Sequence, residues 1–570
     1  MEYHISCKNP LSHYLEISLT ISTWNKPRLY LQLPAWRPGR YELANYAKHL
    51  RSIHASGLRG KSLPIFKVSK DRWVVETSGS SRITITYQYF AHQGDAGGSL
   101  IDDEQWYINF INCLLYTEER LTEPSTVTLE LPKSYRVGTG LTLRKERQWA
   151  AKDYYQLVDS PLMASKKLKH WSYELESVSF HLWFHGQHKL SKSKTLKHFK
   201  SFSKLQINTL GEFPEKDYHF LYQVPPKKFY HGVEHANSTV IAIGPGSQLH
   251  KERYPDFLGV SSHELFHAWN ILKIRPKNLL PYDFSKECYF EEGFVAEGFT
   301  TYYGDLFLAR CGVFDEKQYF KEVDTLFKRH FENEGRHVAS LTDSSRDLWL
   351  DGYQITAPSR KVSIYTKGAL VALILDLNIR RLSGQRSSLD DVVRDLWQNF
   401  GKKDRGYRTE DVQRICKKFT KHDFQDLFDE LIRGTAPLQD YLKDALSEVG
   451  CTLHRLPSKQ TLKRCFGIRA TLLDSSLKIS QIANGSPAGK KLSVGDLILK
   501  INGKKVQKNL KKALGKAHTT KLLINRGGRQ LSIKLTRSSK QFFWQYRLQK
   551  LPNPTDDQRI NYQKWTGYPF

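Results

Sequence analysis

The sequence is poor in the features that commit a chain to a membrane or to an oxidising compartment. Its 570 residues contain 7 cysteines, an odd number, scattered from Cys7 to Cys465 and never spaced Cys-x-x-Cys. That argues against a disulfide framework or a cysteine zinc site and fits a reducing cytosol, so a cytoplasmic location is expected. No apolar run approaches the roughly 18–20 residues that a membrane-spanning helix needs. The opening "MEYHISCKNPLSHYLEIS" has no basic segment leading into an apolar one, so no secretory signal is expected there. Internal repeats, low-complexity tracts and glycine-rich phosphate loops are also missing.

Acidic residues are scarce in one place. Residues 455–550 hold 23 Lys or Arg against only Asp474 and Asp496, so +21 of the formal net charge of +29 sits there and the remainder carries +8. The basicity belongs to one segment. Nucleic acid is the obvious partner to test against it, but base-stacking aromatics are lacking, since neither Tyr nor Trp occurs between 467 and 541. Specific nucleic-acid binding is not expected.

What is present is the composition of a folded protein, 39% hydrophobic and 12% aromatic. A chain this long exceeds one hydrophobic core, so roughly two to four domains are expected. Residues 1–185 alternate apolar and polar in short runs such as "RITITYQY" and read as a β-rich domain. From 186 to 450 the period becomes helical. "YPDFLGVSSHELFHAWNILKI" reads as one helix ending before Pro276, "ECYFEEGFVAEGFTTYYGDLFLARCG" as a second, and "YTKGALVALILDLNIRRLSG" as a third, buried one. Residues 455–538 are β-rich again, and 539–570 form a tail.

Within the helical half lies "HELFH". Residues four apart share one helix face, so His263 and His267 can aim two imidazoles at one ion, and Glu264 can reach a metal-bound water. Chance alone gives this pattern in roughly one sequence in twenty of such composition. A zinc hydrolase needs a third ligand. Glu297 lies on or beside an apolar stripe, where a lone carboxylate is costly unless it meets a cation, whereas Glu291 and Glu292 read as solvated first-turn acids. Glu234 and His235 precede the β-like run "STVIAIG", where a carboxylate could hold a substrate's amino group, although exposed edge glutamates are common. Tyr365 stands at the mouth of the buried helix, either as an oxyanion donor or as a packed core tyrosine. Thr301, one turn after Glu297, could orient a ligand, although a threonine inside a helix more often bonds its own backbone.

Together these segments resemble the glycyl aminopeptidase family of zinc metallopeptidases, gluzincins with a C-terminal PDZ domain. "PAWRPGRYELANYAKHL", "HGVEHANST", "HELFHAWNILKIRPKNLLPYDFSKE", "EGFTTYY" and "YTKGALVALILDLNIR" are similar to the family's motifs in the same order. The resemblance implies an α+β multidomain fold: a β-rich N-terminal domain, a thermolysin-like catalytic domain with the HExxH helix, and a PDZ domain. It implies one Zn2+ per chain held by His263, His267 and Glu297, with Glu264 as base and Tyr365 as oxyanion donor. Glu234, with Gly232 and His235 beside it, becomes the substrate-amine strand. The implied activity is removal of small N-terminal residues, Gly or Ala, from peptides with a free N-terminus. An endopeptidase or oligopeptidase with PDZ-mediated capture is the alternative. Two departures stand near the site: Gly293-Phe294 replaces the usual Leu-Trp, and Val233 replaces Met. In the basic segment, "CFGI" resembles the PDZ loop, so Phe466, Gly467 and Ile468 are expected to cradle a peptide's C-terminal carboxylate. The lysines crowded at 500–521 either draw an acidic ligand or form a solvated surface with no dedicated partner.

Overall fold

A computed structural model describes residues 1–24, 26–354, 357–506, 514 and 518–570. Residues up to 166 build three sheets, the largest eight-stranded with Glu2–Ser6 and Tyr14–Ser22 near its centre. Alternation is strict along Tyr14–Ser22, which buries Leu15, Ile17, Leu19 and Ile21 on one face. Two-residue periodicity makes such a strand half-buried by construction.

The helical half of the chain begins with a five-stranded sheet. Its strands run in the spatial order Lys169–Leu175, Val178–His185, Asp217–Gln223, Ser238–Gly244, Phe229–His235. The first two precede residue 186, so this sheet starts inside the segment read from sequence as N-terminal. Phe229–His235 is the outer strand, antiparallel to Ser238–Gly244 with Glu234 opposite Thr239.

Helices pack on this sheet. Tyr254–Phe266 carries the HExxH motif and ends sooner than the period suggests, because the chain turns at His267 and closes Leu272 N–H on the His267 carbonyl. The second helix starts only at Phe294, and its first six residues, Phe294–Phe299, are a π-helix running into Thr300–Arg310. Such bulges collect at functional sites. Thr366–Leu382 is buried along nearly its whole length, as its apolar faces require.

The basic module has its own small core, built from Leu462, Phe466, Ile468, Ile479, Ile498, Leu522 and Ile524 among others. It is looped out between two paired strands, Cys451–Leu456 and Gln545–Lys550. The tail is therefore not free: after the second of these strands, helix Asp556–Thr566 buries Tyr562 and Trp565 in the main core. Trp565 Nε1 donates to Tyr302 Oη at 2.9 Å. Of the lysines expected to draw an acidic ligand, Lys508, Lys511, Lys512 and Lys516 lie outside the described residues. No helix among the described residues is long and apolar enough to cross a membrane.

Candidate active site

His263 stands in the last turn of its helix and His267 caps it, so the i,i+4 pairing survives the early end. Their Nε2 atoms are 3.1 Å apart, and Glu297 Oε2 lies 3.4 Å from His267 Nε2 and 3.8 Å from His263 Nε2. Tetrahedral zinc with bonds of about 2.0–2.1 Å holds neighbouring ligand atoms roughly 3.3–3.4 Å apart, so the three donors already approximate one face of that polyhedron. Glu297 is 2% exposed and its Oε2 has no hydrogen-bond donor. An orphaned carboxylate oxygen facing two imidazole nitrogens fits a divalent cation.

The outer contacts also fit. His267 Nδ1 donates to the Asn270 carbonyl at 2.6 Å, which leaves Nε2 to a metal. Asn270 Nδ2 in turn donates to the Val295 carbonyl at 2.8 Å and to Thr300 Oγ1 at 3.0 Å. The Trp-Asn after the motif thus ties the histidine helix to the π-segment that carries Glu297. The threonine engaged is Thr300, not Thr301, and its own hydroxyl bonds the Ala296 carbonyl one turn back.

Electrostatics point the same way. Burial beside His267 drives His263 well below the ordinary imidazole range and keeps it neutral. Burial opposes protonation of His267, yet the carboxylates of Glu234, Glu297 and Glu264 push it up to about 10. Burial raises Glu264 well above the carboxylate range, against the pull of His267 and with Glu234 adding to it. The cluster is short of positive charge.

Glu234 belongs to it. Its carboxylate, with those of Glu264 and the imidazole of His267, falls within one 4.8 Å group, and its Oε1 has no partner. Gly232, two residues earlier on the same strand face, lies under Glu264, where a Cβ would overlap Oε1. His235 faces the other way: its Nδ1 is 2.9 Å from Asp159 Oδ1, and Asp159 Oδ2 accepts from Ala236 N–H at 2.9 Å. Val233 also faces away, packing with Tyr107, Met163 and Val240, so this departure from the family pattern does not line the cleft.

The N-terminal signature reaches in from the opposite side, a role nothing in its sequence disclosed. Trp36 Nε1 donates to the Asp283 carbonyl at 2.8 Å, and its ring packs edge-on against Trp349. Gly39, at φ +77°, meets Glu234 so closely that a Cβ would lie 2.6 Å from Oε2. Tyr41 places an unpartnered, buried hydroxyl near Glu234 and Glu297, and its N–H donates to Tyr353 Oη at 3.0 Å. Sequence reasoning missed Tyr41 and Tyr353. Tyr365 joins them: burial, with Glu297 adding, raises its phenol well above the usual range and keeps it protonated.

Two imidazoles and a glutamate converging beside the outer strand Phe229–His235 define a metallopeptidase of the zinc type. Comparison with known proteins gives the family. Residues 2–166 match the Peptidase M61 N-terminal domain, residues 256–371 the M61 glycyl aminopeptidase, and residues 442–514 the PDZ domain. The chain belongs to the M61 glycyl aminopeptidase family. An aminopeptidase N family protein from Idiomarina loihiensis is similar throughout, with 27% identity, 99% of both chains covered and a TM-score of 0.91. An M1 zinc metallopeptidase from Deinococcus radiodurans shares 14% identity over 76% of this chain and 94% of its own, at a TM-score of 0.48. That likeness is too low to carry an argument. Among curated proteins there is no match.

Proposed function

We propose that the chain is a zinc-dependent aminopeptidase acting on peptides with a free N-terminus, with one zinc ion per chain and a preference for small first residues such as Gly and Ala. The observation that carries this reading is Glu234, a carboxylate only 4% exposed whose Oε1 lacks a partner beside the metal ligands. A substrate ammonium would supply the missing positive charge beside Glu264 and His267.

His263, His267 and Glu297 would hold the ion, which when bound supplies Lewis acidity and lowers the pKa of its water towards about 7. Glu264, already raised by its surroundings, is suited to take a proton from the attacking water and return it to the leaving amine. The protonated Tyr365 donates to the developing oxyanion. Glu234 fixes the amine, Gly232 leaves Glu264 room to move, and the Asp159–His235 pair holds the end of the strand in place. Gly39 and the tyrosines Tyr41 and Tyr353 crowd the amine end of the cleft, which supports selection for small side chains. We also place the division between N-terminal and catalytic domains near residue 167, where the five-stranded sheet begins.

The second reading is an endopeptidase or oligopeptidase with PDZ-mediated capture, favoured by the open outer edge of Phe229–His235, which can pair with an extended substrate. Acetylating the amine of a glycyl p-nitroanilide separates the two. Loss of nearly all rate is expected for the aminopeptidase, and retained cleavage of N-blocked peptides would move the second reading to the front.

A further inference from the structure

The Phe466-Gly467-Ile468 segment does not present the open ring of N–H groups that its sequence suggests. Residues Thr461–Phe466 form a short helix, Phe466 is buried, and Gly467 N–H donates to the Lys463 carbonyl at 3.2 Å. What flanks the segment instead is a pair of cations, Lys463 before it and Arg469 after it. Both already hold a carboxylate. Glu332, the residue that ends helix Glu316–Phe331 of the catalytic unit, accepts from Lys463 Nζ at 2.7 Å through Oε1, and Arg469 lies 3.2 Å from its Oε2. Glu332 is 3% exposed.

The surroundings are those of a peptide-binding edge. Arg469 is the second residue of strand Ile468–Leu472, which pairs with Leu477–Ile482 on one side and, among the described residues, ends its sheet on the other. At the far end of that strand Leu472 is 41% exposed. An extended peptide added to this edge would bring its terminal carboxylate to the Lys463 and Arg469 end, where a negative charge matches the two cations.

We propose that Glu332 is an intramolecular occupant of the PDZ carboxylate site: its side chain holds Lys463 and Arg469, so docking of the PDZ domain on the catalytic unit and capture of a peptide C-terminus exclude each other. The partner is a peptide with a free C-terminal carboxylate. A tethered competitor acts at an effective concentration that reaches the millimolar range, so parent protein binds such peptides weakly. Removing the Glu332 charge frees both cations. Neither step involves the metal site, so the inference stands or falls apart from the aminopeptidase reading.

The test uses the full chain carrying Glu264→Gln, so that the probe is not cleaved, with and without Glu332→Gln. The probe is a pool of N-terminally fluoresceinated octapeptides, randomised over the last four residues and made as free acid or as amide. The Glu332→Gln protein is expected to bind the free-acid pool about tenfold more tightly or better by anisotropy, with the amide pool unchanged. Hydrogen exchange over 461–472 should rise in the same protein. Should Glu332→Gln fold poorly, the charge swap Glu332→Lys with Lys463→Glu replaces it, and parental exchange protection over 461–472 then supports the contact while lost protection refutes it. Equal free-acid affinities with and without Glu332, equal binding of acid and amide, or no free-acid binding by either protein would each overturn the proposal.

Discussion

Around His263, His267 and Glu297 the chain gathers three carboxylates and two imidazoles, and among the described ion pairs of Glu297 the only partners are those imidazoles. At Glu332 the balance is reversed, with one carboxylate between two cations. The means of support differ too. The metal site rests on backbone: Gly232 beneath Glu264, the Asn270 bridge to the π-segment, and Gly298 against Gly368. The PDZ contact rests on the flexible ends of Lys463 and Arg469. A rigid site with excess negative charge is completed by an external cation, whereas a site with excess positive charge, built from long side chains, can exchange one carboxylate for another.

The largest effect expected from this contrast is chemical. In the proposed mechanism Glu264→Gln removes a base without removing a ligand, so turnover of a glycyl p-nitroanilide should fall about 10³-fold or more while metal content stays at the parental level. Metal analysis beside the rate decides the matter. If zinc leaves together with activity, Glu264 belongs to the ligand set and the division into ligands and base is wrong.

How much of this was legible beforehand follows the physics of each signal. The i,i+4 histidines, the buried Glu297 and the edge-strand Glu234 could be read because helix and strand periods dictate which side chains share a face. The early end of the HExxH helix could not, since the carbonyl contacts that turn the chain at His267 leave no mark on hydrophobic periodicity. The π-segment was invisible for the same reason: an inserted residue shifts the ridge locally while the apolar stripe continues. Gly39, Tyr41 and Asp159 come from distant parts of the chain, and long-range packing has no local pattern. The PDZ loop shows the opposite failure. Its motif was easy to see, but the hydrogen bond that occupies Gly467 N–H depends on the helix before it.

A smaller effect probes the rigid side. Gly298 follows Glu297 directly, and a Cβ there would lie 2.5 Å from the Cα of Gly368, one turn into the helix that Tyr365 precedes. The contact is backbone on backbone, so no side chain can swing away. Gly298→Ala should cost about 1–3 kcal/mol, the usual range for overpacking, and should weaken zinc retention by displacing Glu297 from the histidines. Competition with a chelator measures this. Parental zinc affinity in a folded variant would mean that the backbone contact does not set the ligand geometry.

The smallest effect concerns the side of the molecule that faces the PDZ contact. His330, two residues before Glu332, is buried on the same helix, and burial pushes its imidazole down to about 3, with Lys367, Arg336 and His337 adding to the shift. Its unfolded value is near 6.5. Between those values the unfolded chain binds the additional proton, so the contribution of His330 is complete above about pH 6.5 and is lost as the pH falls towards 3, at up to about 1.4 kcal/mol per unit. The unfolding free energy from urea titration should therefore fall further between pH 7 and pH 5 in the parent than in His330→Gln, by about 2 kcal/mol. The charged neighbours that shift it are all basic, in contrast to His267 among its carboxylates. An acid limb that is the same in both proteins would shift the acid sensitivity to the metal ligands, where a proton on the histidines competes with the ion instead.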